Sequence, residues 1–338
     1  MNQEDIPRLD PSPLMRLTTL YWESQVFLTA NRIGLFHILD KEALSITEIA
    51  HALELKPHPT RLMLKACEAL ELVKDAGEEH FINTPLSNAF MVPGTPAYLG
   101  DAVRYADNLY AAWGSLEQAL REGTPPMAPE TYLGEDKEKT RAFVYGMHNR
   151  ALGIGNAMAD MLDLKGRQHL LDVGGGPGTY SSLLTLKTPG LSSIVLDLPD
   201  VVAIAKEIIN SMGATEKVST LAGDYKQTPF PSNNDVVLIS GVFHRETEDT
   251  CQNLIQRAAD TLQTGGLLIV SDIFTSAGGA EPTFATLFGL NMMLSAPDGT
   301  VHADADIAEW MASAGFTDIK KQQFPPPMPH RMVMGTLK

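Results

Sequence analysis

A chain of 338 residues, 44% hydrophobic and 20% charged, holds enough apolar material for two modest domains, which excludes disorder as its main state. Its 27 Gly and 22 Pro are scattered without a period, so collagen-like and low-complexity architectures are excluded as well. Lys+Arg number 26 against 41 Asp+Glu, and the net charge of −15 repels nucleic-acid backbone and anionic membrane while suiting a small neutral or cationic ligand.

The first third reads as helices. Leu28, Ile33, Leu35, Phe36 and Ile38 recur at helical spacing, and Ser45-Ile46-Thr47-Glu48 is a capping box opening a short helix through Leu53. Lys56-Pro57-His58-Pro59 breaks the chain, and Thr60 is expected to start an amphipathic helix bearing Leu62, Met63, Ala66, Leu70 and Leu72. Extended pieces at 72–74 and 80–83 flank Gly77, which completes a winged-helix pattern. Arg61 and Lys65 on its candidate recognition helix are offset by Glu68 and Glu71, and Glu78 and Glu79 sit on the hairpin. A protein–protein role is therefore expected rather than DNA reading. Cys67 and Cys251 are read as buried free thiols. Met1–Asp5 is polar and unlike a secretory leader, and no apolar run approaches membrane-spanning length, so a cytoplasmic protein is expected.

Helical pattern continues from Tyr98 to about Leu164, interrupted at Gly123-Thr124-Pro125-Pro126. Short apolar runs then alternate with helical segments. The runs cover 169–173, 193–196, 218–222, 236–239 and 267–270, and the helices include 201–212 and 249–262. This alternation predicts an α/β fold, a parallel sheet wound with helices on both faces. The expected domains are 1–97, 98–164 as a helical connector, and 165–338, with Leu164–Arg167 as the linker.

Leu170–Thr179 is an apolar strand running into the glycine-dense turn Gly174-Gly175-Gly176-Pro177-Gly178 and then a helix. The dinucleotide fingerprint fits poorly, because Thr179 stands where Gly or Ala is wanted and Pro177 lies inside the loop. Asp197 closes the next strand, 25 residues after Asp172, where a carboxylate can accept from a ribose diol. Asp224 is placed at the end of the third strand, able to accept from an adenine amino group, with Tyr225 along the ring face. Three acids at successive strand ends make a poor phosphate site and a good site for a cationic nucleoside. No close His/Cys/carboxylate cluster has metal-ligand spacing, so no metal is expected.

On these residues, together with Trp113-Gly114-Ser115-Leu116 and Leu120-Arg121-Glu122-Gly123, the chain resembles a class I S-adenosylmethionine-dependent methyltransferase. More narrowly it is similar to the caffeic acid, acetylserotonin and hydroxyindole O-methyltransferase family, including its bacterial natural-product members of secondary metabolism. The resemblance implies a Rossmann-like catalytic domain and an N-terminal winged-helix dimerisation domain, hence a homodimer. It implies S-adenosylmethionine held by Asp172, Gly174, Gly176, Asp197, Leu198, Asp224, Tyr225 and Ser240.

His244 follows the fourth strand, at the edge where the methyl donor points. Read alone, it is either a strand-end histidine satisfied by backbone or a base. A phenol with a pKa near 10 is a weak nucleophile, and an imidazole can take its proton as attack proceeds. The resemblance selects the base and implies Asp272 as its orienting partner. Three positions depart from the family pattern. His244-Arg245-Glu246 replaces His-Asp-Trp, Ser240 replaces a lysine, and the second orienting acid falls near Val301. His302 is the candidate substitute for that acid. The acceptor pocket is expected to use Phe143, Met147 and Arg150, then Asn291, Met292 and Met293, with His148 solvated. The expected reaction is O-methylation of a small aromatic acceptor. C- or N-methylation, a non-methylating reaction of the same cofactor, and a ligand-sensing winged-helix regulator are the alternatives.

Overall fold

The computed structural model describes residues 9–127 and 136–338, so Met1–Asp5 lies outside the described residues. The chain divides into two units, one ending at Arg104 and one starting at Tyr105. The first contains α1 (Ser12–Leu17), α2 (Leu20–Arg32), α3 (Leu35–Ile38), β1 (Leu44–Ser45), α4 (Ile46–Ala52), α5 (Pro57–Ala69), β2 (Val73–Asp75), β3 (His80–Asn83) and α6 (Pro85–Met91). Ser45 and Glu48 form the reciprocal capping box that opens α4. α5 starts three residues earlier than Thr60, at Pro57. A proline whose missing N–H would be unpaired anyway initiates a helix at its first position, and Lys56 before it is extended. The strands pair antiparallel in the order β1-β3-β2, over a core of Leu35, Phe36, Leu39, Ile49, Leu64, Cys67 and Phe81. The cations of α5 are paired within this unit: Arg61 with Glu79, and Lys65 with Glu68 and Asp75.

Next come α7 (Gly100–Gly114), α8 (Leu116–Glu122) and the 25-residue α9 (Lys137–Met161). Then β4 (His169–Val173), α10 (Thr179–Lys187), β5 (Ser192–Asp197), α11 (Pro199–Ser211), β6 (Val218–Ala222) and β7 (Asn234–Ser240) alternate. They are followed by α12 (Glu248–Thr261), β8 (Leu262–Asp272), α13 (Thr283–Met293), α14 (Asp304–Ser313), β9 (Phe316–Gln323) and β10 (Arg331–Leu337). The seven strands are ordered β6-β5-β4-β7-β8-β10-β9. The first five are parallel, as expected, and β10 runs antiparallel to both its neighbours. The C-terminal pair is thus a departure from the all-parallel reading.

Side chains of the central strands alternate between two apolar clusters, one on each face. Leu171, Val173, Val237, Ile239, Leu268 and Val270 pack with Leu254 and Ile255 of α12. Leu170, Val236, Leu238 and Ile269 pack with Met158 of α9 and Leu184 of α10. Burial on both faces is why these strands read as unbroken apolar runs. β4 has β5 on one side and β7 on the other, so the crevice at its carboxyl end is the switch point where such sheets bind ligands. No helix among the described residues is long and apolar enough to cross a membrane.

Candidate active site

Asp172, next to last in β4, is fully buried. Its Oδ2 accepts from Ser181 Oγ at 2.7 Å, while its Oδ1 has no partner. Burial pushes this carboxyl up to about 7; Ser181 opposes that shift and Asp197 adds to it. After β4 the chain turns through Gly174, Gly176 and Gly178, all with positive φ. A Cβ on Gly174 would lie 2.7 Å from Val242 Cγ2 and 3.4 Å from Tyr225 Cδ1, so only glycine keeps this cradle open. The Asp197 carboxylate binds the loops after β4 and β5 together, accepting from Gly176 N and Leu198 N at 2.7 Å each. Burial raises its pKa, and these two amides and Arg245 counteract that. Two amide bonds leave acceptor capacity on a carboxylate, enough for a ribose diol.

β6 ends at Ala222, so Asp224 sits in the turn beyond it, where its Oδ1 accepts from Lys226 N at 2.8 Å. The Tyr225 ring packs against Gly174, and its hydroxyl donates to Glu246 Oε1 at 2.7 Å. Ser240 ends β7, beside the part-buried Tyr180. An orphaned buried carboxylate oxygen, an open glycine cradle and three acids fit a cationic nucleoside such as S-adenosylmethionine.

A single 3₁₀ turn, Phe243–Arg245, carries His244 past the end of β7. Asp272, the last residue of β8, holds it at two points. His244 N donates to Oδ2 at 3.3 Å, and His244 Nδ1 lies 2.8 Å from Oδ1. A carboxylate only accepts, so Nδ1 carries the hydrogen, and in the neutral ring this leaves the lone pair on Nε2. Side-chain exposure is 16% for His244 and 3% for Asp272. Burial alone would raise the Asp272 carboxyl, but His244 and the Ile273 amide hold it below the usual carboxylate range. Phe288 of α13 meets the imidazole edge-on, with centroids 5.1 Å apart.

His302 does not serve as the missing second acid. Its Nε2 lies 3.1 Å from Phe243 O and 3.0 Å from Glu246 O, and so donates to the backbone of the turn. Val301 packs near Gly289 of α13. His148 is not solvated either: it is part-buried, with Nδ1 2.8 Å from Thr179 Oγ1 at the start of α10, and burial lowers its pKa.

Phe143, Met147 and Arg150 share one face of α9 by their spacing. Phe143 packs toward Val144, Ile204 and Ile208, edge-on to Tyr105, while Arg150 is exposed. Asn291 accepts from Trp113 Nε1 at 2.8 Å, Met292 is buried, and Met293 joins Ala112, Ala119 and Leu294. Sequence reasoning missed His330. It precedes Arg331, which pairs in register with Asp272, so it stands at the same sheet edge. Burial pushes its imidazole down to about 4 against the pull of Asp272, with Arg150 and His244 adding to the fall, and its Nδ1 is buried without a partner.

Residues 98–317 match the family model for the O-methyltransferase domain, and residues 15–93 the model for the O-methyltransferase dimerisation domain. The chain is 29% identical over 329 residues to 3-hydroxy-5-methyl-1-naphthoate 3-O-methyltransferase of Streptomyces sahachiroi, covering 96% of this chain and 95% of that one. It is 28% identical over 314 residues to the tetracenomycin polyketide synthesis 8-O-methyl transferase of Streptomyces glaucescens, covering 92% of each. The solved structure of human N-acetylserotonin methyltransferase in complex with SAM shares the fold, with a TM-score of 0.86 at 23% identity and 99% of both chains covered.

Proposed function

We propose a reaction for this site from one premise: the chain belongs to the S-adenosylmethionine-dependent O-methyltransferase family. The acceptor is a phenolic hydroxyl on a small aromatic of the natural-product type, in keeping with the naphthoate and polyketide substrates named for its relatives. The observation that carries this is the His244–Asp272 pair, with Nε2 left free at the carboxyl edge of β7 and β8. S-adenosylmethionine supplies an electrophilic sulfonium methyl. Asp172, Gly174, Gly176, Asp197, Leu198, Asp224, Tyr225 and Ser240 would hold it, with the buried Asp172 carboxyl beneath the glycine turn.

His244 Nε2 would accept the hydroxyl proton as the acceptor oxygen takes the methyl group, with the methyl–sulfur bond breaking and S-adenosylhomocysteine leaving. Asp272 keeps the ring in the reactive tautomer and steadies the imidazolium that results. Phe288 fixes the ring plane, and Met147, Met292 and Asn291, with Phe143 behind them, form the acceptor walls. Arg150 pairs with the phenolate or a carboxylate of the acceptor.

The assembly we infer is a homodimer through the N-terminal unit. Leu14, Met15, Leu17, Tyr21 and Trp22 leave apolar surface exposed on α1 and α2, and a second copy would cover it.

The test is His244→Ala, assayed by product mass with phenolic acceptors. Turnover should fall by roughly 10²–10⁴-fold while calorimetric affinity for S-adenosylhomocysteine stays within twofold. Wild-type turnover in that variant would remove His244 from the base role.

A further inference from the structure

Glu246 stands where the family pattern has tryptophan, yet its side chain is only 4% exposed. A buried carboxylate needs partners, and here they come from the loop after β6. Tyr225 Oη donates to Oε1 at 2.7 Å, and Lys226 Nζ lies 2.7 Å from Oε2. The same loop is held by its backbone. Arg257 of α12 donates to Tyr225 O and, at 2.5 Å, to Thr228 O, with its guanidinium 4.0 Å from the Phe230 centroid. The Tyr225 ring therefore spans from the Gly174 backbone to Glu246, and both of its ends are fixed.

We propose that Glu246 is a positioning residue for the cofactor: its carboxylate holds the Tyr225 hydroxyl and so sets the ring as a fixed wall of the adenine pocket. The proposal rests on the reading of Tyr225 as that wall. An aromatic family residue would contribute its own ring face. This chain uses a carboxylate to orient the ring it already has on the opposite loop. Pre-ordering the wall lowers the ordering cost of binding, so the effect belongs to cofactor affinity and not to the chemical step.

The test is calorimetric titration of full-length variants with S-adenosylhomocysteine, alongside steady-state kinetics. Glu246→Ala and Tyr225→Phe should each raise Kd about five- to twentyfold, part of the roughly 10- to 100-fold that a hydrogen bond to a charged group is worth, since the bond orders the ring and does not touch the cofactor. The double variant should be no worse than the poorer single, since both remove one bond. KM for the cofactor should rise with kcat within twofold, and Glu246→Gln, which still offers an oxygen to Tyr225, should recover part of the loss. Tyr225→Ala is the control on the underlying reading. If Tyr225→Ala weakens binding while Glu246→Ala and Tyr225→Phe stay within twofold of wild type, the positioning role is overturned and the pocket reading stands. If Tyr225→Ala itself stays within twofold, both fall. Should Glu246→Ala fail to fold, Tyr225→Phe decides alone, because it removes only the hydroxyl.

Discussion

Replacing Asp172 with Asn should stabilise the cofactor-free protein at neutral and alkaline pH and cripple cofactor binding. Burial raises this carboxyl from the ordinary value near 3.9 to about 7. The folded chain thus keeps a proton that the unfolded chain releases, and wild-type stability falls as pH rises between those values. At about 1.4 kcal/mol per pH unit, the loss approaches ~4 kcal/mol by pH 8. Asparagine has no such titration. The difference in unfolding free energy between Asp172→Asn and wild type should therefore swing by about 3–4 kcal/mol between pH 4 and pH 8. Urea unfolding at fixed protein concentration across that range measures it. A second readout uses the orphaned oxygen. Cationic cofactor drives Asp172 to its charged form, so titration at pH 7 in buffers of different ionisation enthalpy should reveal release of about half a proton. A difference that stays flat with pH, or binding heats independent of buffer, would refute the assignment.

Asp272→Asn presents an amide that can donate to Nδ1, which favours the wrong tautomer. Turnover should drop roughly 10²–10⁴-fold with S-adenosylhomocysteine affinity unchanged by calorimetry. Gly174→Ala places a Cβ at positive φ and 2.7 Å from Val242. That backbone conformation alone costs about 1–2 kcal/mol, so cofactor affinity should fall more than tenfold and Tm by several degrees in scanning calorimetry. Burial pushes the Cys67 thiol up to about 12 and raises that of Cys251 as well. An aromatic disulfide reagent at pH 8 should label neither until denaturant is added, and then both.

Elements buried on two faces were the easiest to read. The bounds of β4 and β6 match their apolar runs, and the glycine turn between β4 and α10 is where its composition put it. The β9–β10 pair escaped notice because β9 lies at the sheet edge, half-exposed, with Lys320, Lys321, Gln322 and Gln323 along it. Local pattern put His244 just past a strand end, the family resemblance supplied Asp272 as its partner, and the structure brings the two to 2.8 Å. Ser181, Tyr180 and His330 carried no comparable signal, and Glu246 stood out only as a departure from the family pattern. Each acquires meaning only from a partner distant in the chain, such as His330 beside the strand pairing of Arg331 with Asp272. The misplaced roles of His148 and His302 have the same origin, since an imidazole beside a hydroxyl or a carbonyl looks no different in sequence from a solvated one.

The glycine turn and the Asp197 carboxylate meet mostly through main-chain amides, whereas the acceptor walls proposed above are side chains on α9 and α13. The two halves of the crevice therefore differ in how easily they can be rewritten. Exchanging a methionine, asparagine or phenylalanine on either helix reshapes the acceptor space and leaves the donor cradle untouched. Changing the cradle means altering glycines at positive φ, of which Gly174 has no room for a Cβ. A scaffold divided in this way lends itself to retargeting: one cofactor grip, fixed by backbone geometry, leaves the proposed acceptor walls open to change at a handful of helix positions.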